Sequence, residues 1–117
     1  MTTQEHNKAV FRRYLDAFNR GDLAAFDALV TPAYVNHDPL HPDPLPGPAG
    51  LKPIVRELRR TAPDLRFEEQ ALIAEGDLVA AHLLVHGFGP IPVRQIQIER
   101  FETSRIAEHW RATGAGG

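Results

Sequence analysis

The sequence contains no cysteine, which excludes thiol nucleophiles, disulfides and thiolate metal sites together. It has no apolar run long enough to cross a membrane, and residues 1–6 are polar with no signal-peptide pattern. A cytoplasmic protein without a membrane partner is therefore expected. It also lacks a strong charge of either sign: the net charge is −2 with the histidines neutral, so the basic stripe of a nucleic-acid binder is absent. No Ser-His-Asp order, phosphate-cradling glycine loop or dinucleotide fingerprint is present. These absences disfavour nucleophilic hydrolysis and nucleotide binding.

What is present is 117 residues, 43% of them hydrophobic, enough for one core and too little chain for two ordinary domains. A single domain over residues 1–117 is expected, with 1–6 and 114–117 flexible. Val10, Phe11, Tyr14, Leu15 and Phe18 recur at helical spacing, and Gly21 suits a left-handed cap. Asp22 can then cap a shorter helix through Leu23, Phe26, Leu29 and Val30, closed by Pro32. Tyr34–His37 reads as a short extended piece. Prolines 39, 42, 44, 46 and 48 make the next stretch a rigid loop. Leu51, Ile54, Val55 and Leu58 mark a third helix, with Pro53 placed in its first turn.

From Leu65 the pattern becomes that of strands. Leu65–Glu75 and Leu78–His86 flank a Gly76-Asp77 turn, and Val93–Glu102 and Arg105–Thr113 flank Thr103-Ser104. Helices first and strands after favour an α+β fold, with helices over a curved antiparallel sheet enclosing a pocket.

Three stretches taken in order carry a family likeness. They are Asn19-Arg20-Gly21-Asp22, then Tyr34-Val35-Asn36-His37-Asp38-Pro39 with Gly47 and Ala62-Pro63-Asp64-Leu65, and finally Ile73–Val79 with Arg105-Ile106-Ala107-Glu108-His109-Trp110. The chain thereby resembles the SnoaL-like polyketide cyclase branch of the nuclear transport factor 2-like superfamily, over about residues 7 to 113. The resemblance implies a cone-shaped α+β fold, often a homodimer, with a pocket between the helices and the sheet. It also implies cofactor-independent aldol cyclisation with a carboxylate near the end of the last strand as acid/base; sister families isomerise, open epoxides or dehydrate. Here Thr113 and Gly114 stand where that carboxylate belongs. A carboxylate elsewhere must carry the chemistry, or the domain only binds a ligand or dimerises.

If Thr103-Ser104 is a two-residue turn, Glu99 pairs with Glu108 and Gln97 with Trp110. One face then carries Gln95, Gln97, Glu99, Phe101, Ile106, Glu108 and Trp110. Two facing glutamates cannot both ionise cheaply in a dry site, so Glu99 and Glu108 are the acid/base candidates, with His37 supporting. A one-residue slip would instead turn His109 and Arg111 inward and the glutamates outward. Arg94, Arg100, Arg105 and Arg111 are assigned to the outer face or a dimer interface.

Tyr14, Phe18, Asp38, His82, Gln97 and Trp110 complete the expected substrate contacts, Tyr14 and Trp110 because each joins an apolar body to a polar handle. His82 and His86 share one strand face, and the pattern leaves open which side of the sheet it is. His37 and His41 with Asp38 and Asp43 could be read as a metal cluster, but the intervening prolines exclude the helix that would bring the histidines together, so no metal or cofactor is expected. The expected function is acid/base chemistry (aldol cyclisation, isomerisation or epoxide opening) on a hydrophobic, oxygenated, polyketide-like small molecule.

Overall fold

Thr2 starts the first helix by a reciprocal cap: its hydroxyl accepts from the Glu5 N–H at 3.1 Å, and its own N–H donates to the Glu5 carboxylate at 3.1 Å. Such a cap stabilises a helix by about 1 kcal/mol. Helix α1 (Thr3–Arg20) thus has as its cap and first turn residues expected to be flexible, and it ends on Gly21 in the left-handed conformation. The computed structural model describes residues 2–39 and 44–114. Part of the proline loop, including His41 and Asp43, lies outside the described residues, as do residues 115–117.

After a short 3-10 turn (Leu23–Ala25), helix α2 is a single turn (Phe26–Leu29). Asp22 makes no side-chain cap, and Val30 does not extend the helix: it opens strand β1 (Val30–Asn36). Pro32 sits inside that strand rather than ending a helix, which is tolerated because β1 is an edge strand. Helix α3 (Pro48–Thr61) starts on Pro48, so Pro53 lies beyond the first turn and leaves the Ala49 carbonyl without its usual intrahelical donor.

Strands β2 (Arg66–Glu75), β3 (Leu78–His86), β4 (Val93–Glu102) and β5 (Arg105–Thr113) follow. The sheet order is β1-β5-β4-β3-β2, antiparallel throughout except that β1 runs parallel to β5. It is therefore a mixed five-stranded sheet, open rather than closed into a barrel. Thr103 and Ser104 both have positive φ (46° and 65°), as the two central residues of a type I′ hairpin require.

Helix α1 packs across β2 and β3 and buries Val10, Phe11, Tyr14, Leu15 and Phe18. Phe18 meets Phe26 and Phe67 edge to face at 6.0 and 5.1 Å. Asn19 pins the end of the helix to β2, donating to the Phe67 carbonyl at 3.0 Å and accepting from the Phe67 N–H at 2.7 Å. The inner sheet face carries Val79, Ala81, Leu83 and Val85 from β3 and Gln95, Gln97, Glu99 and Phe101 from β4. No helix among the described residues is long and apolar enough to cross a membrane.

Candidate active site

The site is decided by one extra residue in β5. Phe101 pairs with Ile106 as expected, but Arg100 then pairs with Glu108, Glu99 with His109 and Ile98 with Trp110. Ala107 is the bulged residue, and both it and Ile106 are buried. Beyond the bulge every side chain of β5 changes face. The expected Glu99–Glu108 pairing is thus corrected: Glu99 stays inside, Glu108 and Trp110 turn outward, and His109 and Arg111 turn in. Burying two apolar residues in succession against the core drives the shift.

Inside, the Glu99 and His109 side chains are 0% and 4% exposed, with His109 Nδ1 at 2.8 and 2.9 Å from the two carboxylate oxygens. Burial raises the Glu99 pKa above the ordinary glutamate range, and the charge and hydrogen bond of His109 oppose that rise. His109 lies at the wall of a cavity of about 150 Å3 between α1, α3 and the sheet, with Glu99 behind it. His109 lines it with Tyr14, Phe18, Asn36, Gln97 and Arg111, among others. Phe88, 53% exposed, also lines it. Since Nδ1 is engaged by Glu99, Nε2 is the ring nitrogen without a hydrogen-bond partner among the described residues.

Two more polar groups stand near this end. Burial raises the pKa of the Tyr14 and Tyr34 hydroxyls, reinforced by the Glu99 charge and countered by that of Arg111. Tyr34 Oη faces Tyr14 yet makes no hydrogen bond of ordinary geometry, and Gln97 Oε1 is also buried without a donor. Gln97 Nε2 donates to Gln95 Oε1 at 2.6 Å, so its amide is held from one side only.

The remaining sequence candidates divide between the two faces. Tyr14, Phe18 and Gln97 line the cavity. Asp38 accepts from the Arg111 backbone N–H at 2.8 Å, bracing the strand beside the site. His37, Glu108 and Trp110 form a separate outer group: His37 stacks on Trp110 at 4.9 Å, and its Nε2 lies 3.1 Å from Glu108 Oε1. Arg100 also binds Glu108, and together these contacts hold that carboxyl below the usual range, Arg100 contributing most. His82 lies on the outer face too, its Nε2 3.3 Å from Arg94 Nη1. Among the described residues no group of three or more His, Asp or Glu side chains is placed to hold a metal ion.

His109 and Arg111 enter the sequence reading only as the outcome of a one-residue slip, because strict alternation was carried through Ala107; the slip occurs within β5 alone, so Glu99 stays inside. The adjacent apolar pair Ile106-Ala107, which breaks that alternation, was the available signal.

Comparison with known proteins agrees with this architecture. None of the curated proteins matches the chain. Among solved structures, TsrD from Streptomyces laurentii superposes with a TM-score of 0.81 at 24% identity, over 97% of this chain and 91% of that one. IdmH from Streptomyces antibioticus, which carries a provisional polyketide cyclase assignment, gives 0.75 at 25% identity over 92% and 91%. A protein from Acidithiobacillus ferrooxidans with the same provisional assignment gives 0.78 at 27% identity over 97% and 91%. The sequence profile described as SnoaL-like domain matches residues 11–109, and this chain belongs to that family.

Proposed function

We propose that the protein is a cofactor-independent acid/base enzyme in which His109, backed by Glu99, is the proton-transfer group. One observation carries this reading: a buried Glu–His pair whose histidine lines the cavity. His109 Nε2 takes a proton from a carbon next to a substrate carbonyl, and the electron pair moves onto the carbonyl oxygen as an enolate. Glu99 accepts the Nδ1–H, fixes the tautomer and stabilises the imidazolium that forms. Tyr14, whose burial keeps its proton in place, donates a hydrogen bond to the enolate oxygen. The enolate then attacks a second carbonyl, as in aldol cyclisation, or is reprotonated elsewhere, as in isomerisation.

The provisional cyclase assignments of IdmH and the Acidithiobacillus protein support the aldol branch. A cavity of about 150 Å3 admits a single ring, comparable to cavities that hold benzene. A larger polyketide would enter by one end only.

The test is deuterium exchange from D2O at the α-carbon of single-ring or short ketones, one neutral (cyclohexanone) and one acidic (levulinate). Wild-type protein is expected to accelerate exchange, and His109→Gln to lose about 100-fold or more of that acceleration. Exchange equally fast in His109→Gln removes the role given to His109. No acceleration by the wild type leaves a ligand-binding domain on the same fold.

We also infer a homodimer through the outer sheet face. Ala80, Ile98 and Trp110 form one cross-strand row there, and His82, Ile96 and Ala112 the next. Ile96 and Ile98 are 46% and 37% exposed, within a rim of both charge signs from Arg94, Arg100 and Glu108. Such a face can meet its own copy around a two-fold axis.

A further inference from the structure

Arg111 reaches the cavity from β5, two residues beyond His109 and on the same inner face. A guanidinium keeps its charge at any working pH and has five N–H donors. One donor of Arg111 goes to the Asp38 carbonyl at 2.5 Å, while the Asp38 carboxylate is taken by the Arg111 backbone N–H. Arg12, Arg20, Arg60 and Arg100 each pair with a carboxylate. Among the described residues none lies within 4.0 Å of the Arg111 guanidinium.

The polar groups around it leave the fork of that guanidinium without a paired carboxylate among the described residues. Both oxygens of the Glu99 carboxyl are engaged by His109 Nδ1, the Asp38 carboxylate is engaged by the Arg111 backbone N–H, and the cavity groups Tyr14, Asn36, Gln95 and Gln97 offer no carboxylate. A neutral apolar ligand filling this cavity would strip water from the guanidinium and give nothing in return. A ligand carboxylate would supply both the charge and the paired acceptors that a guanidinium fits best.

We propose that the cavity takes a small organic carboxylate, its acid group on Arg111 and its adjoining carbons presented to His109. Alternate residues of a strand stand about 6.6 Å apart, the span of a short-chain acid, so one molecule can touch both side chains. The volume limits the enclosed part to about one ring. What happens to the ligand carbon rests on the acid/base reading above; recognition of the carboxylate rests on Arg111 alone.

Benzoate and benzamide have nearly the same shape and differ in charge. Their binding is followed by amide chemical-shift titration of the whole protein, for wild type, Arg111→Gln, Arg111→Lys and His109→Gln. Wild type is expected to bind benzoate at least about tenfold tighter than benzamide, with shifts clustered at Tyr14, Gln97 and Thr113. Arg111→Gln should abolish that preference. Arg111→Lys, which keeps the charge but loses the fork, should weaken it and serves if the glutamine variant does not fold. Equal binding of the two ligands by the wild type, no binding of benzoate, shifts away from the cavity, or a preference untouched in the Arg111 variants would each overturn the proposal. His109→Gln should keep the preference for benzoate while losing α-carbon exchange. Lost exchange with the preference intact confirms separate roles; a preference absent from wild type that still exchanges ketones sinks this proposal and leaves the acid/base reading standing.

Discussion

Glu99 and His109 face each other across β4 and β5, Nδ1 at 2.8 and 2.9 Å from the carboxylate oxygens, with both side chains shut away from water. Removing the imidazole while keeping the carboxylate leaves a buried charge with no partner. His109→Leu should therefore destabilise by about 3–5 kcal/mol in urea unfolding at neutral pH. His109→Gln, which can still donate a hydrogen bond, should cost clearly less. Equal losses in the two variants would show that the pair has no electrostatic share in stability.

The pH dependence of the same pair has a definite sign. Burial, the largest influence on Glu99, raises its folded pKa above the unfolded value. The folded state then holds a proton that the unfolded chain releases, so this contribution is complete below the unfolded glutamate pKa of about 4.3. It is lost as pH rises through the raised folded value. Glu99→Gln does not titrate, so its stability relative to wild type should improve steadily from about pH 4 upward. Unfolding curves for both proteins across that range give the comparison, and a constant difference would contradict the raised carboxyl.

Glu108 behaves in the opposite way. Arg100 first and His37 second hold its carboxyl below the ordinary range, so its stabilising contribution is present above the unfolded pKa and is lost as pH falls through the folded one. Glu108→Gln should be slightly less stable than wild type at neutral pH, and the two should converge in acid. Because Glu108 lies on the outer face, the same variant should exchange α-protons at the wild-type rate within about twofold. A large loss of exchange would bring the outer group of His37, Glu108 and Trp110 back into the chemistry.

Sequence pattern is sufficient where a structural choice is local. Helical spacing in α1, the Gly76-Asp77 and Thr103-Ser104 turns, and both hairpins were legible, since each is a local choice repeated by several residues. The bounds of β3, β4 and β5 follow from the same alternation. Gln97 and Glu99 were placed on the inner face because β4 keeps its alternation throughout. The faces of β5 were not legible beyond Ala107: a bulge is one residue long, and its evidence is tertiary, the burial of both Ile106 and Ala107. Strand β1 was partly missed for a related reason. Its pairing with β5 is parallel and distant in sequence, so no turn announces it.

The proposed homodimer depends on the apolar rows of the outer face. Ile98→Glu puts a charge at their centre, beside Trp110 and opposite the core side of β4. Ile98 is 37% exposed in the single chain, so folding should be nearly unaffected while self-association weakens. Sedimentation velocity should give a dimer for wild type and a monomer for the variant, with unchanged circular dichroism. A monomeric wild type at all concentrations would remove the interface.

Gly50 gives the strictest test of how the proline loop, packed against α3 at Leu45, sets the position of the helix that lines the cavity. It lies in the first turn of α3, where exchanging glycine for alanine would ordinarily stabilise a helix by about 1 kcal/mol. A Cβ there would stand 1.7 Å from the Leu45 carbonyl oxygen and 2.7 Å from its carbon. Backbone cannot move aside as a flexible side chain can, so either the loop must lift or α3 must shift. Leu51 and Ile54, which line the cavity from the same helix, would move with it. Gly50→Ala should therefore lower stability despite the gain in helix propensity, and should weaken benzoate binding as well. Gly76 has open space around it, so Gly76→Ala should cost only the strain of its positive φ of 58°, about 1 kcal/mol, and leave binding alone. Thermal unfolding and benzoate titration of the two variants separate a wall that is held by backbone contact from one that merely lies nearby.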